Sequence, residues 1–176
     1  QYVSGTSGTS QSVSYKPHWG YTGGSSKGQL GGFDQSTLEV DGNNYKVGQF
    51  GNFANGGNSV PYTKFELYLM GMAPISSVNS FDLFGEITSW EVGSKFNFTA
   101  NSRTTYDQES IVSLLGPRVP DSSDSQKEFN LLVIVLTDEA LTDDQWNAVD
   151  SSVEWFSFPG PDENYLYNFY EATNGI

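Results

Sequence analysis

The sequence lacks cysteine altogether, so no disulfide framework holds this chain and redox chemistry gives no clue to its compartment. Basic residues are scarce. Lys and Arg together number 8 against 21 Asp and Glu, for a net charge of -13. That balance argues against nucleic acid or an anionic membrane as partner, since both need a basic surface. A cationic ligand or divalent ions suit it better. No apolar run is long enough to span a bilayer, and no basic segment followed by an apolar one opens the chain, so any signal peptide is expected to have been removed already. No His-Glu-x-x-His or phosphate-cradling Gly-Lys pair occurs, and these absences remove the motif-borne forms of zinc hydrolysis and nucleotide binding. Histidine is reduced to one residue, His18.

The 176 residues have the length of one domain able to bury a core without staples. Abundant Ser, Thr, Asn, Gly and Tyr with few basic residues give the texture of a secreted, extracellular protein. Asn97-Phe98-Thr99 fits the glycosylation sequon.

Residues 1–14 are a Ser/Gly/Thr run that reads as a flexible N-terminal arm, and residues 15–176 as a single α+β domain. Leu38-Glu39-Val40 and Tyr45-Lys46-Val47 flank Asp41-Gly42-Asn43-Asn44 and predict a hairpin. The Gly/Asn-rich stretch 48–61 carries Phe50 and Phe53 and predicts an ordered loop packed by its rings. Thr63 and Glu66 form a capping-box pattern before Phe65-Glu66-Leu67-Tyr68-Leu69-Met70, and Gly71 and Pro74 end that helix. Phe81 to Phe84 and Ile87 to Val92 predict two short elements, and Phe96 to Thr99 a strand. An acidic turn at Asp107 opens a helix stopped at Gly116-Pro117.

Phe129 to Leu136 is nearly all apolar and rich in Val and Ile, which predicts a fully covered central strand. Thr142 caps a helix in which Trp146, Val149 and Val153 recur at helical spacing. A last aromatic helix covers Tyr165 to Ala172. The resulting expectation is a small antiparallel or mixed sheet, packed by three to four short helices around residues 63–71, 106–115 and 142–157 and joined by long Gly-rich loops.

Among candidate functional residues, His18 sits on a Gly-rich segment that can present an imidazole outward. Glu66 has the type of a zinc ligand or base, although the capping role explains it without chemistry. Asp121, Asp124, Asp138, Asp143 and Asp144 are candidate calcium ligands by type, but without EF-hand spacing they read as solvated or capping carboxylates. Trp19, Tyr21, Tyr45, Phe50 and Phe53 would serve a glycan if exposed as a row, and are core if buried. No residue is singled out for substrate binding.

The ordered set His18-Trp19, Leu30-Gly31-Gly32, Phe65 to Gly71, Gly116-Pro117-Arg118-Val119-Pro120 and Glu171 to Gly175 resembles the C-terminal subdomain of secreted bacterial zinc metallopeptidase-like proteins of the leishmanolysin-like metzincin pattern. The resemblance implies that His18 is the third zinc ligand and that the Leu30 turn supports the metal from below, with leucine where the pattern has methionine. Because the two histidines and the glutamate of His-Glu-x-x-His are missing, zinc would need ligands from outside this chain, and the chain alone would be inactive. The implied partners are a protein or peptide substrate and an upstream peptidase subdomain. The alternative is a non-catalytic extracellular binding or assembly module, for glycans or surface proteins, on the same scaffold.

Overall fold

Two hairpins laid side by side make the sheet. In the computed structural model, which describes residues 27–48, 60–92, 95–158 and 168–176, strands β1 (Glu39–Asp41) and β2 (Asn44–Gly48) meet across Gly42-Asn43, with Val40 opposite Tyr45. Strands β3 (Phe81–Val92) and β4 (Lys95–Tyr106) form the second hairpin, and β4 pairs with β2 so that the order is β1-β2-β4-β3, antiparallel throughout. With its helices this is the expected small α+β architecture. The expected arm at residues 1–14, His18 and the loop with Phe50 and Phe53 lie outside the described residues.

Alternation decides which side of the sheet is covered. Tyr45 and Val47 of β2 and Phe96, Phe98 and Ala100 of β4 are buried while their immediate neighbours are not, the period of two that a half-covered strand requires. These residues join Phe33 and Phe84 in one cluster, where the Tyr45 and Phe84 ring centres lie 4.5 Å apart and those of Tyr45 and Phe98 5.4 Å. Truncating a ring such as Phe96 should therefore cost ~3–5 kcal/mol.

The two short elements expected at 81–84 and 87–92 are instead one strand of 12 residues. Glu86 adopts a φ of 52°, and an extra residue between Ile87 and Ser89 bulges the ladder, which lets pairing continue past the Gly85-Glu86 break. Strand β4 runs on beyond Ala100 through polar residues to Tyr106. Within that extension Arg103 and Thr105 donate to Asp82 of β3, at 2.7 and 2.6 Å.

Helices α1 (Lys64–Met70) and α2 (Gln108–Leu115) pack on the sheet's flank through Phe65, Tyr68, Val78, Phe81 and Ile111. Both start at side-chain caps, Thr63 and Asp107. Gly71 closes α1 in the left-handed region, φ 81°, where its Cα also lies so close to Ser125 and Arg118 that a Cβ would collide. Helix α3 (Asp143–Glu154) is capped by Thr142 and Gln145, and the short α4 (Phe169–Ala172) by Asn168. Among the described residues no helix is long and apolar enough to cross a membrane.

The expected central strand is the main correction. Phe129 to Leu136 joins neither the sheet nor a helix, and most of its large side chains are exposed, Leu132 by 80% and Leu136 by 93%. The centre is taken by β4, whose two edges are occupied by β2 and β3. An apolar run states that cover is needed but not which strand supplies it. Helix α3 shares this fate, since its Trp146, Val149 and Val153 stripe includes no buried residue.

Candidate functional site

The Gly-Gly turn, the Gly-Pro-Arg segment and the C-terminus all converge on α1. Gly28 and Gly31 exchange backbone hydrogen bonds, at 2.9 Å for the Gly28 N–H and 3.3 Å for that of Gly31, closing a tight turn over Gln29 and Leu30. The amides of this turn point at Glu66. Its Oε1 accepts from Leu30 N–H at 2.5 Å, and its Oε2 accepts from Thr63 N–H at 2.6 Å and Gln29 N–H at 3.3 Å. Thr63 Oγ1 returns the bond by accepting from Glu66 N–H at 3.2 Å, completing the capping box.

This carboxylate is 2% exposed on a helix between buried Phe65 and Leu67. Burial pushes its pKa above the ordinary 4.5, against the opposing pull of the Leu30, Thr63 and Gln29 amides. Gly28 is required for the approach, because a Cβ there would lie 2.4 Å from Glu66 Oε2 and 2.5 Å from Thr63 Cγ2. The Gln29 side-chain amide donates to Val60 O, tying the turn to the residues just before α1. Leu30 rests against the cluster of Phe65, Tyr68, Val78, Phe81 and Ile111.

Arg118 grips the other end of α1. Its Nε donates to Leu69 O at 3.0 Å and its Nη2 reaches Met70 O at 3.5 Å, satisfying carbonyls that the end of a helix leaves orphaned. Its Nη1 donates to Val119 O at 2.5 Å and Pro120 O at 3.3 Å, which fixes the fold of its own loop. At the chain's end Tyr62 N–H donates to Ala172 O at 2.7 Å, and Ile176 packs against buried Leu67, Met72 and Ala73.

Chemically, then, Glu66 is a positioning residue. Its lone pairs are directed at backbone donors, so it is unsuited to holding a metal or moving a proton while these bonds stand. Among the described residues no group of three or more His, Asp or Glu comes together as a metal set. Asp121 accepts from Ser123 N–H at 2.8 Å and Ser123 Oγ at 2.6 Å, bonds that hold its pKa below the usual carboxylate range, while Asp143 and Asp144 occupy the first turn of α3. Asp124 and Asp138 are not gathered with them. The described residues therefore do not fit zinc by themselves, and His18, the one candidate ligand, lies outside them.

Of the aromatic set, Tyr45 is buried against Phe84 and Phe98 and belongs to the core, whereas Trp19, Tyr21, Phe50 and Phe53 lie outside the described residues. The sequon at Asn97 falls within β4, where Asn97 pairs with Lys46 on one side and Glu91 on the other. Thr99 Oγ1 is already engaged, donating to Asn44 Oδ1 at 2.9 Å and meeting Ser89 Oγ at 2.8 Å. A doubly paired strand is a poor acceptor for a glycan, which belongs on a loop.

Sequence reasoning missed that Glu66 clamps a turn 37 residues upstream and that Arg118 caps α1. A signal existed for the first. A carboxylate in the middle of Phe65-Glu66-Leu67-Tyr68, on a helix with apolar residues around more than one face, needs buried donors. Comparison of the chain with protein-family models, curated proteins and solved structures finds no match.

Proposed function

We propose that the chain is the C-terminal portion of a secreted zinc metallopeptidase-like protein, supporting peptide-bond hydrolysis only together with an upstream part that carries His-Glu-x-x-His. The observation that carries this reading is the Glu66 clamp. It locks the turn that follows the His18-Trp19 segment onto a packed helix, through the backbone amides of Gln29 and Leu30. A turn that must support a metal ligand has to be rigid, and charge-assisted bonds from a buried carboxylate supply that rigidity.

In this reading His18 is one zinc ligand, and the remaining ligands and the general base come from outside the chain. The residues present here position. They do not perform the chemistry. Bound zinc would supply Lewis-acid activation of water toward a peptide carbonyl. The test is to express the longer reading frame, measure zinc and hydrolysis of an unstructured protein substrate, and repeat with His18→Ala. The expected result is stoichiometric zinc and activity, both lost in the variant. A longer frame without a His-Glu-x-x-His helix, or zinc binding indifferent to His18→Ala, would overturn the assignment.

A second reading, a non-catalytic binding or assembly module, is favoured by one separate observation, the uncovered apolar surface of residues 129–158.

A further inference from the structure

The run 131–135 and helix α3 face each other across an open groove of about 520 Å³, lined by Leu131, Val133, Val149, Val153 and Phe156. Its surface is apolar, with Ile134 70% exposed and Trp146 also exposed. Apolar patches of this kind mark interaction sites. Two further features say what fits.

First, residues 130–136 make no backbone hydrogen bond among the described residues. Seven consecutive residues thus offer the donors and acceptors that an added strand would take up. Second, the chain from Glu128 onward is acidic. From Glu128 to the C-terminus there is no Lys or Arg. Helix α3 bears Asp143, Asp144, Asp150 and Glu154, with Asp150 and Glu154 next in sequence to the groove residues Val149 and Val153. Lys127 and Glu128 precede the run, and Asp138 and Glu139 follow it.

We infer that this groove is a docking site for an extended cationic segment of another polypeptide, one that alternates apolar and basic residues. Its backbone pairs with residues 130–136, its apolar side chains enter the groove beside Val149 and Val153, and its Lys or Arg residues meet the carboxylates of α3. A second copy of this chain is a poor occupant, because it brings a net charge of -13 to an already acidic face. An anionic membrane is disfavoured for the same reason. The inference rests on the binding-module reading for its surface and is independent of zinc.

The test uses the full chain and two labelled synthetic peptides, one alternating Val and Lys and one alternating Val and Glu, followed by fluorescence anisotropy. The Val/Lys peptide is expected to bind saturably, to weaken as salt rises, and to leave the Val/Glu peptide unbound. The paired substitution Val149→Asn with Val153→Asn keeps the charge and removes the apolar wall, and should weaken binding about tenfold or more. Because neither valine is fully buried, the variant should keep the wild-type circular dichroism spectrum. Asp150→Asn should weaken binding by about two- to fivefold and flatten the salt dependence. Equal binding of both peptides, no binding of either, or full affinity in the Val149/Val153 variant would overturn the proposal. So would a concentration-dependent doubling of mass in sedimentation that the same variant abolishes, since a second copy would then be the occupant.

Discussion

Replacing Glu66 by alanine removes the acceptors for three backbone amides at once. The bonds to Leu30 at 2.5 Å and Thr63 at 2.6 Å are short, and that to Gln29 at 3.3 Å is weak. Bonds to a charged acceptor contribute ~1.5–3 kcal/mol each, and a donor left buried without one costs about as much. Against this stands the relief of no longer burying a carboxylate, itself several kcal/mol. Two strong bonds less part of that relief leave an expected loss of ~3 kcal/mol, a large share of the ~5–15 kcal/mol that holds a domain together. Urea denaturation followed by tryptophan fluorescence measures it, and amide exchange at Leu30 and Thr63 shows whether the turn is released. The isosteric Glu66→Gln reads the charge. Burial raises the Glu66 pKa above 4.5, so the folded state holds this proton more tightly than the unfolded chain does. The sign follows. The site's contribution is full below pH 4.5 and is lost as pH rises through the raised folded value, so wild type should lose stability across that window relative to the glutamine variant. A loss below about 0.5 kcal/mol in Glu66→Ala would refute the clamp, and parallel pH profiles for wild type and Glu66→Gln would refute the raised pKa.

Gly28→Ala should destabilise by ~1–3 kcal/mol through its collision with Glu66 and Thr63, and combination with Glu66→Ala should be markedly less than additive, which a double-mutant cycle in urea detects. Arg118→Ala should cost ~1–2 kcal/mol by orphaning the carbonyls of Leu69 and its own loop, read as a shifted urea midpoint. Arg103→Ala leaves Asp82 buried without its charged partner and should cost ~1–2 kcal/mol, the guanidinium's 38% exposure keeping the loss well below that of a fully buried pair. Leu136→Ser, at an exposed position, should stay within ~0.5 kcal/mol, whereas Phe96→Ala should lose ~3–5 kcal/mol.

Local chemistry made much of this fold legible. The Gly42-Asn43 turn, the Thr63 and Thr142 caps, the acidic start of α2 and the stops at Gly71 and Gly116 each depend on residues close in sequence, and each stands where the pattern put it. What the pattern could not supply was partnership at a distance. Phe129 to Leu136 has the composition of a central strand, yet strand position is set by which edges remain open, and β4 holds the centre with both edges paired. The bulge that fuses residues 81–92 into one strand depends on its register against β4, invisible in the segment alone. At the site, the capping role of Glu66 could be read from Thr63 three residues earlier. Its grip on Gln29 and Leu30 could not, because that contact exists only once the turn is folded onto α1.

The most direct test of the proposed function is the zinc content of the purified chain after dialysis, measured by elemental analysis beside His18→Ala. The account places the other ligands outside this chain and so predicts no stoichiometric zinc in either protein. One zinc per chain in the wild type, absent from His18→Ala, would contradict it by showing a complete site within these 176 residues.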